Sequence, residues 1–207
     1  MEYSKKVLDH FMKPHNLGKI EKADIEATEG SPACGDQVTL YLDVDKESRK
    51  IKDIKFQSYG CASNIATASI ITDMAKGKTL EEAEKITWKE AADALDGLPP
   101  VKMHCSVLAV DTLKAAIKKY KQKFENEKED EFSKDLILSE LKKVIYPKVG
   151  ENIVTLKMVK YLGYENGTVT IDLDIPKFDP YRGNLKEEIN EHLEKFGDNI
   201  KEVKITM

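Results

Sequence analysis

The chain has 207 residues, of which 41% are hydrophobic and 34% are charged, with a net charge of −4 at pH 7. This slightly acidic balance argues against nucleic acid as the main partner, because phosphate binding requires a basic face. The sequence shows neither a secretory leader pattern nor an apolar run long enough to cross a bilayer, so we expect a cytoplasmic protein without a membrane partner. Its odd number of cysteines, three, indicates reduced thiols.

The N-terminal part is predicted to combine short helices with a small antiparallel sheet. Ser4 can cap a first helix that Pro14 ends, and a polar stretch then leads to the Cys34 turn. Alternating apolar residues over 38–44 predict a half-buried strand. A charged turn follows, and a second strand runs to Tyr59-Gly60-Cys61.

Helices dominate the next sixty residues. The composition of 64–75 is helical, and two capping boxes, Thr79 with Glu82 and Thr87 with Glu90, each predict the start of a short helix. Gly97 and the two prolines after Leu98 predict an extended loop ending at His104-Cys105. A long helix begins there, with a predicted buried stripe formed by Leu113, Ile117, Tyr120 and Phe124.

The composition divides the chain into two domains, residues 1–125 and 132–207, joined by an acidic linker at 126–131. The second domain reads as α-β-β-α-β, with a hairpin turn at Asn166-Gly167, and contains no cysteine. We therefore predict an α+β protein with a small antiparallel sheet packed on helices in the first domain.

All three cysteines lie in turns beside other metal-ligand types. Cys34 is followed by Gly35, which permits a positive φ, and by Asp36, and Cys105 follows His104. Thiolate, carboxylate and imidazole are the donors that hold zinc or iron. Three thiolates are one short of the four that a closed iron–sulfur site needs.

Two of the cysteines are predicted to be reactive. Cys61 precedes a helix and Cys105 opens another, and the partial positive charge of a helix N-terminus lowers a thiol pKa. We expect the lower pKa at Cys105, which has a neighbouring imidazole. The other histidines are predicted to be ordinary: His10 and His15 structural or exposed, and His192 solvated.

The motifs resemble the signature of the IscU/NifU-type iron–sulfur cluster scaffold family. They are Cys34-Gly35-Asp36, Gly60-Cys61 and the run Leu98-Pro99-Pro100-Val101-Lys102-Met103-His104-Cys105. The N-terminal Tyr3-Ser4, Asp9-His10-Phe11, Pro14 and Asn16-Leu17-Gly18 also resemble that family. The resemblance covers about the first 125 residues. It implies an IscU-like fold and a scaffold, not an enzyme, on which a [2Fe–2S] cluster is assembled and then transferred to apo-proteins.

The same resemblance implies a role for each ligand-type residue. Cys34, Cys61 and Cys105 would ligate the nascent cluster, with Asp36 and His104 as supplementary ligands. Asp36 would keep the cluster labile. Cys105 would accept persulfide sulfur from a cysteine desulfurase.

Two further segments are implied to bind protein partners. The segment from Leu98 to Lys102 resembles the one recognised by an Hsp70-type chaperone, and Tyr3 resembles the terminal tyrosine linked to formation of a homodimer. Besides these, the implied partners are the desulfurase and apo iron–sulfur acceptor proteins.

The second domain resembles the small α/β domain of the PaaD/SufT-like cluster-maturation family, through 153–159 and 166–171. It lacks the CxxC motif of NifU C-terminal domains, and the family's acidic turn appears only as Tyr146-Pro147-Lys148. The resemblance therefore implies an interaction role and not a metal site.

Two other functions remain open from the residues themselves. The cysteines with Asp36 or His104 would also suit a structural or regulatory zinc site, and a scaffold without its cluster would carry zinc there. A cysteine enzyme that uses Cys105 with His104 as base ranks last, because adjacent residues rarely point at each other.

Overall fold

The computed structural model describes residues 3–31, 35–125 and 132–207. The chain divides into two compact units, Met1–Glu129 and Asp130–Met207. Both combine helices with sheets, so the α+β class is confirmed. The predicted acidic linker at 126–131 lies outside the described residues. Within the described ranges, no helix is both long and apolar enough to cross a membrane.

The first unit contains three strands and five helices among its described residues. In chain order they are α1 (Lys5–Met12), β1 (Ile25–Ser31), β2 (Asp36–Val44), β3 (Ile51–Tyr59), α2 (Ala62–Ala75), α3 (Leu80–Glu84), α4 (Trp88–Ala94) and α5 (Met103–Glu125).

The sheet is antiparallel throughout, in the order β1-β2-β3. The polar stretch before Cys34, for which the sequence pattern predicted no strand, contains β1. In that strand Ile25 and Ala27 alternate inward and are buried, while Thr28 bonds the opposite Thr39 through its hydroxyl. The outward threonines and glutamates concealed the strand pattern. Strand β1 therefore adds a third strand to the sheet and ends at Ser31, which pairs with Asp36 at the start of β2.

The core of this unit lies between the sheet and the two longer helices, α2 and α5. Leu40 and Phe56 pair across β2 and β3 and are fully buried, as are Leu113 and Ile117 of α5. Each such side chain contributes about 1.5–3 kcal/mol through burial. The predicted stripe is confirmed up to Tyr120, but Phe124 is 39% exposed and has Lys46 and Lys123 over its ring.

Local signals set the ends of the helices. Both predicted capping boxes are confirmed: Thr79 and Thr87 accept from the backbone N–H three residues on, and the glutamates there bond back. The predicted extended loop before His104 was wrong in one respect, since Pro100–Lys102 forms a turn of 3₁₀ helix that leads directly into α5. Cys105 is therefore the third residue of α5, and not its first.

The second unit is built around a mixed sheet. Its elements are α6 (Lys134–Leu141), β4 (Ile145–Tyr146), β5 (Glu151–Asn152), β6 (Val159–Glu165), β7 (Thr168–Leu173), α7 (Arg182–Glu194) and β8 (Glu202–Thr206). Strands β6 and β7 form the predicted hairpin at Asn166-Gly167, and β8 pairs parallel with β7. The short β4–β5 hairpin was not predicted, and β6 begins at Val159.

Glu140 is a buried carboxylate of the second unit, and it joins α6 to α7. It is 6% exposed and contacts Lys143, Lys195 and, at 3.3 Å, His192 Nδ1. Burial alone raises the pKa of Glu140, but the hydrogen bond with His192 and the two lysine charges outweigh it and lower the pKa to about 2. The prediction that His192 is solvated was therefore wrong.

We expect Glu140→Gln to destabilise the second unit by about 3 kcal/mol, since that is the value of the pKa shift from 4.5 to about 2. A carboxylate with a lowered pKa stabilises fully above pH 4.5, and this stability is lost as the pH falls through 2. Hydrogen exchange of peptides from 132–207 in the full chain measures both effects. Exposed Glu187→Gln, on α7, is the control and should change neither.

Candidate metal centre

Three separate elements deliver the candidate ligands to one end of the first unit. Asp36 is the first residue of β2, and Cys61 is the N-cap of α2, two residues beyond the end of β3. His104 and Cys105 lie in the first turn of α5. Because α2 and α5 pack side by side on the sheet, their N-terminal turns meet at the edge where β2 begins.

The four side chains converge within contact distance. Cys61 Sγ lies 3.7 Å from Cys105 Sγ, and Asp36 Oδ2 lies 3.6 Å from the first sulfur and 3.8 Å from the second. His104 Nε2 lies 3.5 Å from Cys105 Sγ. Asp36, His104 and Cys105 each present one ligand atom within 4.8 Å of the others. The expectation that His104 and Cys105 do not face each other was wrong.

Cys34 lies outside the described residues, so the structure does not place its sulfur. Gly35 next to it has a φ of 70°, which confirms that a left-handed glycine precedes Asp36. The backbone N–H of Cys61 donates to Asp36 Oδ1 over 3.2 Å. This bond fixes the carboxylate at the centre of the group.

The two thiols differ in pKa because one is more buried and they contact each other. Cys105 is fully buried and Cys61 is half-buried. The hydrogen bond from the Cys105 thiol lowers the pKa of Cys61 to about 6, and the backbone N–H of Asn64 in the first turn of α2 adds to the lowering. The same hydrogen bond, followed by burial, raises the pKa of Cys105. The prediction of a lowered pKa at Cys105 was therefore wrong, and Cys61 holds the thiolate.

Lys102 supplies a positive charge beside this group. Burial by itself lowers the pKa of the Lys102 ammonium, but the neighbouring acidic groups, Cys61 first among them, raise it overall. A cation at this position offsets part of the repulsion among the sulfurs and the carboxylate. The sequence placed Lys102 only in a partner-binding segment, although its position two residues before His104 could have signalled this contact.

Gly60 is the second residue whose contribution the sequence did not reveal. A Cβ at this position would lie 2.6 Å from Asp36 Oδ1 and 2.6 Å from Asn64 Nδ2. Asn64 is fully buried and donates to Ser58 Oγ, so it cannot move away freely. The absence of a side chain at Gly60 therefore makes room for the Asp36 carboxylate beside Cys61.

The predicted partner-binding residues lie next to the same end of the unit. Tyr3 and Leu98 are half-buried and pack against Val7, Ala66 and Leu95. Pro100 is exposed, and Pro99, Val101 and Lys102 are half-buried. The Leu98 to Lys102 segment therefore has an accessible side that adjoins the metal-ligand group.

Comparison with known proteins agrees with this arrangement. The model of the NifU-like N-terminal domain family matches residues 2–127. The chain is 57% identical over 121 residues to the iron–sulfur cluster assembly scaffold protein IscU 1 of Archaeoglobus fulgidus, covering 58% of this chain and 78% of that protein. It is 49% identical over 126 residues to the IscU scaffold of Haemophilus influenzae, covering 59% and 98% respectively.

A third relative reaches further along the chain. The IscU scaffold protein of Aquifex aeolicus is 41% identical over 147 residues, which cover 65% of this chain and 94% of that protein. The family match includes every residue of the converging group, from Asp36 to Cys105. The chain therefore belongs to the family of the NifU-like N-terminal domain.

Proposed function

We propose that the first unit is a scaffold on which an iron–sulfur cluster is assembled and then handed to other proteins. The observation that carries the proposal is the convergence of Cys61, Cys105 and Asp36, whose sulfur and oxygen atoms lie within 3.6–3.8 Å of one another. Family relatives named as iron–sulfur cluster assembly scaffolds support it. The cluster is cargo here, so the protein acts as a template and not as an enzyme.

The donor set suits a cluster that must leave again. Cys61 and Cys105 supply soft thiolates, and Cys34, two residues before Asp36, is the proposed third. Asp36 or His104 would complete the ligands of a [2Fe–2S] unit. Oxygen is a poorer donor for such a cluster than a fourth thiolate, so the site binds its cargo less tightly than a closed Cys₄ site would. The same donors would hold zinc in the absence of the cluster.

We propose that sulfur arrives as a persulfide from a cysteine desulfurase. A thiolate of the scaffold attacks the outer sulfur, a new S–S bond forms on the scaffold, and the desulfurase cysteine leaves as a thiolate. Cys105 is the proposed acceptor. Because its thiol is buried and protonated in the described conformation, transfer to Cys105 requires that the 98–105 segment open when the desulfurase binds.

The remaining partners follow from the surfaces around the site. Leu98-Pro99-Pro100-Val101-Lys102 is the proposed contact for an Hsp70-type chaperone, and Tyr3 for a second copy of the chain. Apo iron–sulfur proteins would receive the cluster at the exposed side of Cys61 and His104, both of which are half-buried.

For the second unit, we propose a role in protein interaction related to that of the PaaD/SufT-like domains. Its described residues contain no cysteine, and its histidine, His192, is bound by Glu140. We assign residues 1–125 to the scaffold domain, 126–131 to the linker and 132–207 to this second domain. A fragment ending at residue 125 should therefore still assemble a cluster, since every proposed ligand precedes that point.

Cluster assembly tests the function directly. Anaerobic incubation with iron, cysteine and a desulfurase should give the visible absorbance and Mössbauer spectrum of a [2Fe–2S] centre. Cys34→Ala, Cys61→Ala and Cys105→Ala should each prevent a stable cluster, because each removes a soft ligand. A wild-type chain that takes up zinc but builds no cluster would support the zinc function. Normal clusters in two of the three variants would contradict the shared site.

Asp36 should control how long the cluster stays. We expect Asp36→Ala to hold its cluster longer and to transfer it more slowly to an apo-ferredoxin, because a readily exchanged oxygen ligand is lost. Gly60→Ala should act in the same direction, since its Cβ would displace the Asp36 carboxylate. Exposed Asp93→Asn and Gly183→Ala, whose Cβ meets nothing within 4 Å, are the matched controls. Wild-type transfer rates for Asp36→Ala would refute its role.

The difference in pKa predicts which thiol reacts first in the free chain. Iodoacetamide should modify Cys61 well before Cys105, because Cys61 is the accessible thiolate. The rate at Cys61 should rise with pH, reach half its maximum near pH 6 and then level off. Mass spectrometry of tryptic peptides measures both cysteines.

The same peptides locate the persulfide formed with a desulfurase and cysteine in the absence of iron. We expect it chiefly on Cys105. A persulfide chiefly on Cys34 or Cys61 would show that the assignment of Cys105 as acceptor is wrong.

A further inference from the structure

A second group of metal-ligand side chains lies at the opposite end of α2 from the cysteines. His10 of α1, His15 in the loop after it and Asp73 of α2 each present one ligand atom within 4.8 Å of the others. Asp73 is twelve residues beyond Cys61 along α2. At 1.5 Å per residue the two groups are about 18 Å apart along the helix axis, so they cannot share an ion.

We propose that His10, His15 and Asp73 form a second metal site, which takes Zn²⁺ or a similar divalent transition ion. Two imidazoles and one carboxylate are the protein ligands of many zinc and non-haem iron sites, whereas Mg²⁺ and Ca²⁺ prefer oxygen ligands alone. Donors around a tetrahedral zinc lie about 3.4 Å apart, so small side-chain rotations would close the present spacing around an ion.

Ser69 positions the ring of His10 and the backbone of His15. His10 Nδ1 lies 2.8 Å from Ser69 Oγ, which is fully buried, and the backbone N–H of His15 donates to the same oxygen over 2.8 Å. The two imidazole rings are 4.6 Å apart between centroids. Metal-binding histidines usually have such a partner on the ring nitrogen that does not face the ion, and it fixes the ring orientation. Nδ1 of His10 has this partner in Ser69, so in the proposed site its Nε2 would bind the ion.

The carboxylate is oriented as well. Asn16 Nδ2 donates to Asp73 Oδ1 and to Thr72 Oγ1, both over 3.0 Å. Asn16 itself is anchored to the sheet, since its carbonyl accepts from the backbone N–H of Phe56 over 3.0 Å. Its φ of 55° turns the chain so that His15 and Asn16 both reach α2. Asp73 Oδ2 lies 2.6 Å from His15 Nδ1, where an ion would replace the shared proton.

The site is open to solvent on one side. The side chains of His15 and Asp73 are 57% and 35% exposed, so an ion bound here would keep coordination positions for water. Binding would link α1 and the loop after it to α2, and would stabilise the folded first unit in proportion to ln(1 + [ion]/Kd). This inference is independent of the cluster function, because it shares no ligand with the cysteine site.

Histidine NMR of the full chain tests the site one residue at a time. The chain has four histidines, His10, His15, His104 and His192, so their ring nitrogens can be assigned individually. On titration with up to three equivalents of Zn²⁺, we expect metal-bound nitrogen shifts at His10 and His15 and no change at His192. Changes at His104 report the cysteine site separately.

The matched pair Asp73→Asn and Asp53→Asn tests the carboxylate. The amide oxygen introduced by Asp73→Asn can still accept the hydrogen bond from Asn16, so this variant should fold, but it should weaken Zn²⁺ binding at His10 and His15 by about tenfold or more. Asp53, which pairs with Lys76, lies outside the three ligands, and its variant should bind as the wild type does. Unchanged His10 and His15 shifts at three equivalents would overturn the proposal. Wild-type affinity in Asp73→Asn would overturn it as well.

Discussion

The first unit depends on one electrostatic constraint, the placement of two thiols and a carboxylate within 4 Å of one another. Three such groups cannot all be ionised at this spacing without a compensating charge, because like charges in a partly buried site repel strongly. The folded chain meets the constraint in two ways. The raised pKa of Cys105 keeps that thiol neutral, and the Lys102 ammonium lies close enough to interact with both sulfurs and with Asp36. A bound metal ion or cluster would supply the positive charge instead, through direct bonds to the sulfurs and the carboxylate.

The rest of the unit can be understood as the support for that arrangement. Asp36, Cys61 and Cys105 come from three elements that are 25 to 69 residues apart in sequence, so only tertiary packing can bring them together. The buried faces of α2 and α5 against Leu40 and Phe56 set the positions of the two helix starts. Further support comes from the core end of the site, where Thr67 Oγ1 donates to the Cys105 carbonyl over 3.1 Å. The positions of the ligands are therefore set by the packing of β2, α2 and α5, at whose starts they lie.

Local sequence patterns predicted the parts of the fold that depend on neighbouring residues. The capping boxes at Thr79 and Thr87, the alternation in β2 and the turn at Asn166-Gly167 all involve contacts within a few residues. Strand β1 was missed because its outward side chains are polar and only Ile25 and Ala27 are clearly inward and apolar. Its pairing with β2 decides its structure, and this contact is not visible in the local pattern.

For the candidate site, too, the sequence predicted some properties and not others. Which residues carry metal-ligand chemistry was evident from the sequence, since Cys61, His104 and Cys105 lie beside glycine or proline turns. Their protonation was not, because a helix start and an imidazole favour a thiolate at Cys105, whereas burial and Cys61 favour the thiol. The His10, His15 and Asp73 group shows the same limit, since Asp73 lies 58 residues after His15 and meets the two histidines only through the packing of α1 on α2.

Gly60 also limits which amino-acid substitutions this sequence can accept during evolution. Glycine is the only residue without a Cβ, so every missense change of its codon places at least one carbon 2.6 Å from the Asp36 carboxylate. No conservative replacement exists at this position, in contrast to Leu40 or Ile117, where another aliphatic residue of similar volume would cost less than about 1.5 kcal/mol. Such core substitutions leave the metal-ligand group where it is, whereas any substitution at position 60 has to displace the Asp36 carboxylate or the Asn64 amide.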